Sequence, residues 1–234
     1  MTERRGLSPN PGGGLLPVLL EPGGPRSALL IQQAYAEEGL ECPPIDERES
    51  PIALLYPRSY VDAVAAMPEG KQYDYCFVGG LYRPETYPNR AWILGFAAAR
   101  FTDRSYLLVT DPPVEHERVG SFDYTTIDRD VFVPKEAPWG ERTYFHDHYF
   151  RVMRASRFTL CPAGDHPWSM RFFEAIMCRS IPIVSDRLHT GRNTLEQSIG
   201  YRVYLVDEDH VYDEEIVEDN FERFVRHQTL IDRS

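Results

Sequence analysis

The sequence lacks three things that would assign it to a class at once. It has only four cysteines in 234 residues, Cys42, Cys76, Cys161 and Cys178, and their separations match no metal-ligand spacing. A chain of this length does not need disulfides to hold a core, so the thiols are expected to be free, buried and in a reducing compartment. No apolar run approaches the ~20 residues of a membrane span. The longest early one, Leu15 to Leu20, is broken by Pro17, and the segment before it makes a poor secretory signal. Basic residues are the third shortage, with 25 Lys and Arg against 36 Asp and Glu and a formal net charge of −11. That balance excludes a general nucleic-acid binder, whose affinity rests on neutralising phosphates. It leaves room for a local basic pocket around a small phosphorylated ligand. A Walker-type loop is missing too, which argues against a small nucleotide hydrolase.

The apolar content, 42% of residues, is enough for a sizeable core. Its distribution is uneven. Residues 1–27 carry Pro9, Pro11-Gly12-Gly13-Gly14 and Pro22-Gly23-Gly24-Pro25, and are expected to form a disordered tail without regular elements. Residues 28–72 read as an N-terminal extension. A helix is expected over Ser27 to Glu38, a strand over Ile52 to Tyr56 and a second helix over Tyr60 to Met67. From residue 73 apolar strands alternate with helices. Strands are expected at Tyr73–Val78, Tyr106–Val109, Phe158–Cys161, Ile181–Ser185 and Tyr201–Val206. Helices are expected at Asn89–Phe101, Tyr144–Ala155, Ser169–Arg179, Thr194–Ile199 and Ile216–Leu230. Strands apolar throughout and separated by helices predict an α/β fold: a mostly parallel, Rossmann-like sheet with helices on both faces.

In such sheets ligands bind beyond the carboxyl ends of the strands, beside helix N-termini. Two loops meet that condition. One is Pro162 to Trp168, where Gly164 permits close backbone approach and Ser169 is placed to cap the next helix above an anion-binding N-terminus. The other is Ser185-Asp186-Arg187-Leu188-His189. The helix between them is apolar almost all round, yet it carries Arg171 and Glu174. Charges on a buried helix are costly unless paired or bonded to a ligand. They read either as a structural ion pair or as ligand groups, with Glu174 accepting from ribose hydroxyls and Arg171 facing phosphates. His146-Asp147-His148 reads as ordinary polar surface, because adjacent helical residues point apart. Trp168 suits packing or stacking. The acidic residues around Asp207 and Asp213 suit a solvated face and a helix N-terminus.

Three stretches together resemble the exostosin family of glycosyltransferases. They are Ser156-Arg157-Phe158-Thr159-Leu160-Cys161-Pro162-Ala163-Gly164-Asp165, then Ser169-Met170-Arg171-Phe172-Phe173-Glu174-Ala175-Ile176, then Ser180-Ile181-Pro182-Ile183-Val184. Phe77-Val78-Gly79 followed by Arg90 on a helix is similar to the family's opening motif. The resemblance implies that residues 73–234 form the nucleotide-sugar-binding lobe of a two-lobed GT-B-type fold. It implies a nucleotide-diphosphate-sugar as donor substrate, no obligatory cofactor or metal, and a hydroxyl acceptor such as a glycan. Glu174 would hold the donor ribose, with Gly164, Ser169 and Arg171 around the diphosphate. Arg83, Arg90 and Arg187 are the further cations within reach of that region. Asp165 and His166, with Asp111, are the candidate acid/base groups. The sequence departs from the family pattern twice: Arg179-Ser180 stands where a small Gly-Cys pair is usual, and Ala163 stands where a basic residue is common. Relatives generally carry a Golgi anchor and none is read here, so a cytoplasmic location is expected. A single α/β lobe raises an alternative, a non-catalytic binding module or a subunit whose cleft is completed by a partner or a second copy.

Overall fold

The computed structural model describes residues 7–9, 18–20, 36, 53–81, 90–110, 117–119, 122–126, 144–163, 169–185 and 200–230. In chain order these hold β1 (Leu7–Pro9), β2 (Val18–Leu20), β3 (Ala53–Pro57), α1 (Arg58–Ala65), β4 (Tyr73–Gly79), α2 (Trp92–Arg100) and β5 (Ser105–Val109). There follow β6 (Glu117–Val119), β7 (Phe122–Thr126), β8 (Tyr144–His146), α3 (Asp147–Arg154), β9 (Ser156–Leu160) and α4 (Met170–Met177). The last elements are β10 (Ile181–Val184), β11 (Tyr204–Leu205), α5 (Glu214–Gln228) and β12 (Thr229–Leu230). No described helix is long and apolar enough to cross a membrane.

The principal sheet has the order β11-β10-β9-β4-β5-β7-β6. Every pairing is parallel except β6 with β7, which closes one edge antiparallel. Numbered 1 to 6 along the chain, the parallel strands lie 3-2-1-4-5-6, the order of dinucleotide-binding sheets. The strands are apolar because both faces are covered. Side chains alternate between two cores: Cys76, Val78, Leu108 and Cys161 face one, while Phe77, Leu107, Val109, Phe158 and Leu160 face the other. The first core is filled from α1, α3 and α4, with Phe173 fully enclosed. The second is filled from α2 and from the segment leading into α5, where His210 packs against Tyr75, Phe96, Phe158 and Tyr204. Asp213 caps α5 by accepting from the Glu215 N–H, as the acidic run implied.

The elements differ from expectation where tertiary pairing overrides local composition. Residues 1–27, expected to hold no regular element, contribute β1 and β2. Neither is stable alone; β1 pairs with β8 and β2 with β3, and these partners supply the hydrogen bonds that a three-residue strand cannot supply itself. The same pairing with β1 turns Tyr144–His146, expected as helix, into strand. Thr229–Leu230 leaves the final helix to pair with β3, tying the extension to the chain's end. The strand expected over Tyr201–Val206 narrows to Tyr204–Leu205. The helices expected over Ser27–Glu38 and Thr194–Ile199 fall outside the described residues, apart from Ala36.

Two contacts fix the sheet's amino edge. The Lys71 ammonium donates to three carbonyls, those of Arg154, Ser156 and Arg179, at 2.7–2.9 Å. It thereby joins the end of α3, the start of β9 and the turn after α4. Arg179 itself has φ 57, a left-handed conformation that favours glycine. It closes α4: its N–H reaches the Ile176 carbonyl and the Ser180 N–H reaches the Ala175 carbonyl, both at 2.9 Å. A side chain here is compensated by α5, where Arg179 pairs with Glu218 and lies 4.1 Å from the Phe221 ring centre.

Arg179→Gly is expected to lie within about 1 kcal/mol of wild-type stability, since relief of strain offsets the lost contacts. Arg179→Ala keeps the strain without the contacts and should lose about 1 kcal/mol in urea unfolding.

Burial lowers the Lys71 pKa to about 8, against an ordinary 10.5. Across that window the unfolded chain binds the proton and the folded chain does not, so this group's contribution to stability rises with pH. The thiols of Cys76, Cys161 and Cys178 run the other way, because burial raises all three above their ordinary 9.0. The unfolded chain ionises them first, and stability falls as pH passes about 9. Lys71→Met should therefore lose stability between pH 8 and 10 more steeply than wild type. The difference is one proton's worth, up to about 1.4 kcal/mol per pH unit, read from urea midpoints.

Candidate functional site

β4 pairs with β5 on one side and with β9 on the other. The chain leaves β4 and β9 towards opposite flanks, so their carboxyl ends open a crevice at the point where strand order reverses. β4 runs out at Gly79-Gly80 and β9 continues through Cys161, Pro162 and Ala163. A parallel crossover must bring α4 back from the same edge, so its first turn faces this crevice with N–H groups that have no acceptor inside the helix.

Arg171 lies in that first turn and reaches across to β4. Its Nη2 donates to the Val78 carbonyl at 2.9 Å, and the guanidinium sits 4.6 Å from the centre of the Phe77 ring. Gly79 makes room for it, since a Cβ at that position would overlap Nη2. The other two nitrogens, Nε and Nη1, are shut off from solvent with no hydrogen-bond partner among the described residues. Ser169 occupies the N-cap position in extended backbone, φ −134, but its hydroxyl does not accept from the helix as capping would require. Its Oγ is also enclosed and without a partner among the described residues. Unused donors on a cation, an unused hydroxyl and a helix N-terminus are groups whose chemistry suits an anion.

Glu174 sits one turn further along α4 and is only 6% exposed. Its Oε2 accepts a 2.6 Å hydrogen bond from the Tyr149 hydroxyl of α3. Burial, reinforced by the Glu174 carboxylate, pushes the Tyr149 phenol well above its ordinary value, so it stays a donor. Cys161 lies close by, and burial raises its thiol far above neutrality although the Arg171 charge opposes the shift. That thiol is no nucleophile at physiological pH.

Arg90, on the turn leading into α2, bridges the two loops. Nη1 donates to the Gly80 carbonyl at 2.6 Å and Nε approaches the Ala163 carbonyl at 3.4 Å.

Arg90, Ser169, Arg171 and Glu174 therefore gather around the ends of β4 and β9. Gly164, Asp165, His166, Arg83 and Arg187, with Asp111 and His189, lie outside the described residues. His148 is engaged elsewhere, 2.7 Å from the Tyr106 hydroxyl. Sequence reasoning missed Tyr149, whose contact with Glu174 is tertiary and leaves no local pattern. It also missed the carbonyls of Val78, Gly80 and Ala163, which are backbone atoms with no signature in the sequence.

An enclosed guanidinium with so few partners costs stability. Arg171→Met is expected to be neutral or stabilising by up to about 2 kcal/mol in urea unfolding of the ligand-free protein. A clear loss of stability would show that Arg171 is a structural tie and not a ligand group.

The exostosin GT47 domain matches residues 84–222, more than half of the chain and including α2 through most of α5. No curated protein matches the chain. Among solved structures, the "Crystal structure of GtfA/B complex" aligns at 13% identity and a TM-score of 0.31, covering 87% of this chain and 37% of that one. The chain thus spans little more than a third of the length of the solved chain it matches. With that match covering more than half of the chain, β9, Arg171 and Glu174 included, the chain belongs to the exostosin GT47 family.

Proposed function

We propose that the chain is a glycosyltransferase that moves a sugar from a nucleotide-diphosphate-sugar donor to a hydroxyl acceptor. The observation that supports this reading is an under-bonded Arg171 and a buried Glu174, one turn apart on the helix that begins at the sheet's reversal point. Arg171, Ser169 and the first turn of α4 bind the diphosphate. Glu174 accepts from the ribose hydroxyls. Arg90 holds the ends of β4 and β9 together at the site, and Arg83 and Arg187 are the further cations the sequence offers to the diphosphate. In the transfer, the bond from the anomeric carbon to the diphosphate oxygen breaks and a bond to the acceptor oxygen forms. Charge that develops on the leaving diphosphate is met by donors already in place. The acceptor's proton passes to a base, for which Asp165, His166 and Asp111 are the candidates.

A second reading is a nucleotide-sugar-binding module whose cleft is completed by a partner lobe. It is favoured by the single doubly wound sheet among the described residues. Nucleoside diphosphate and free sugar released from a nucleotide-sugar and water by the chain alone would favour the enzyme over the module.

UDP or GDP at about 100 times its Kd is expected to stabilise the fold by about 2.7 kcal/mol, read as a thermal shift. Glu174→Ala and Arg171→Met should each remove most of that shift. Absence of a shift with any nucleoside diphosphate would overturn donor binding.

A further inference from the structure

We infer that Tyr149 is a positioning residue for the nucleotide, holding the Glu174 carboxylate in the orientation from which it accepts the ribose hydroxyls. The inference rests on the donor-binding reading above and extends it to a residue on a different helix. A glutamate has three side-chain torsions, and a ligand that must first order them binds less tightly. Tyr149 removes part of that freedom, because its hydroxyl fixes Oε2 at 2.6 Å. The tyrosine is itself held. Its ring packs edge-on against Phe150, with centroids 5.2 Å apart, and Phe150, Val152 and Met153 anchor α3 in the core. α3 runs directly into β9, whose end forms one wall of the crevice. The carboxylate is thus oriented from the same rigid unit that shapes the site. A carboxylate accepts only, so the phenol must donate.

The experiment is calorimetric titration of UDP and GDP, and of their 2′,3′-dideoxy counterparts, into wild type, Tyr149→Phe, Glu174→Gln and the double variant. Tyr149→Phe should weaken the ribonucleotide roughly tenfold, the scale of one hydrogen bond to a charged group. It should leave the dideoxynucleotide unchanged, because the hydroxyls that Glu174 reads are gone. In the double variant the two losses should not add. Equal weakening of both nucleotides would reduce Tyr149 to a structural role and overturn the inference. So would Tyr149→Phe binding that equals wild type while Glu174→Gln is weak, and that result would leave the donor reading intact. If neither UDP nor GDP binds the wild-type protein, the donor reading falls and the positioning role falls with it. Tyr149→Met, which keeps apolar bulk without the hydroxyl, is read the same way should the Phe variant fail to fold.

Discussion

The reversal of strand order between β4 and β9 is the constraint on which the rest depends. Because β4 is both the first parallel strand and the central one, the chain departs from it towards β5, and later from β9 towards β10. Strand order of this kind leaves a gap between the carboxyl ends of the two strands where a ligand can enter. The other features of the site answer to that gap. α4 must start beside it, Arg171 can span it only if the Val78 carbonyl is within reach, and Gly79 must lack a side chain for the guanidinium to settle.

The electrostatics follow from the same geometry. A chain with a net charge of −11 has few cations to spend, and two of its arginines are committed to the carboxyl end of β4. Arg171 and Glu174 are close enough on one helix to neutralise each other, yet each has been given a separate partner, a backbone carbonyl and a phenol. The incomplete satisfaction of Arg171 costs stability, and the helix keeps a cation and a carboxylate about one turn apart. A nucleoside diphosphate presents the complementary pair, an anion and a diol.

Much of this was legible in the sequence, and the reasons are specific. α4 could be read because it is apolar on every side, which only a fully buried helix tolerates. β9 and β10 could be read because strands buried on both faces need no alternation. Arg171 and Glu174 stood out as charges where the pattern demanded none. What escaped was whatever a distant partner decides. β1 and β2 exist because β8 and β3 lie alongside them, and the first residues expected in α3 became β8 for the same reason. Ser169 has the right residue type for a cap and the right backbone, but its hydroxyl is not used for capping. Tyr149 was invisible because a 25-residue separation along the chain carries no periodicity.

The two departures from the family pattern show how such tertiary contacts absorb local change. At residue 179 an arginine occupies a left-handed turn suited to glycine, and α5 compensates with a carboxylate and an aromatic face. At residue 163 an alanine stands where a basic residue is common, and the Arg90 guanidinium of the opening motif approaches its carbonyl. At residue 179 the requirement attaches to a position in space: a turn must close α4 so that β10 can follow, and partners on another helix let an arginine make that turn.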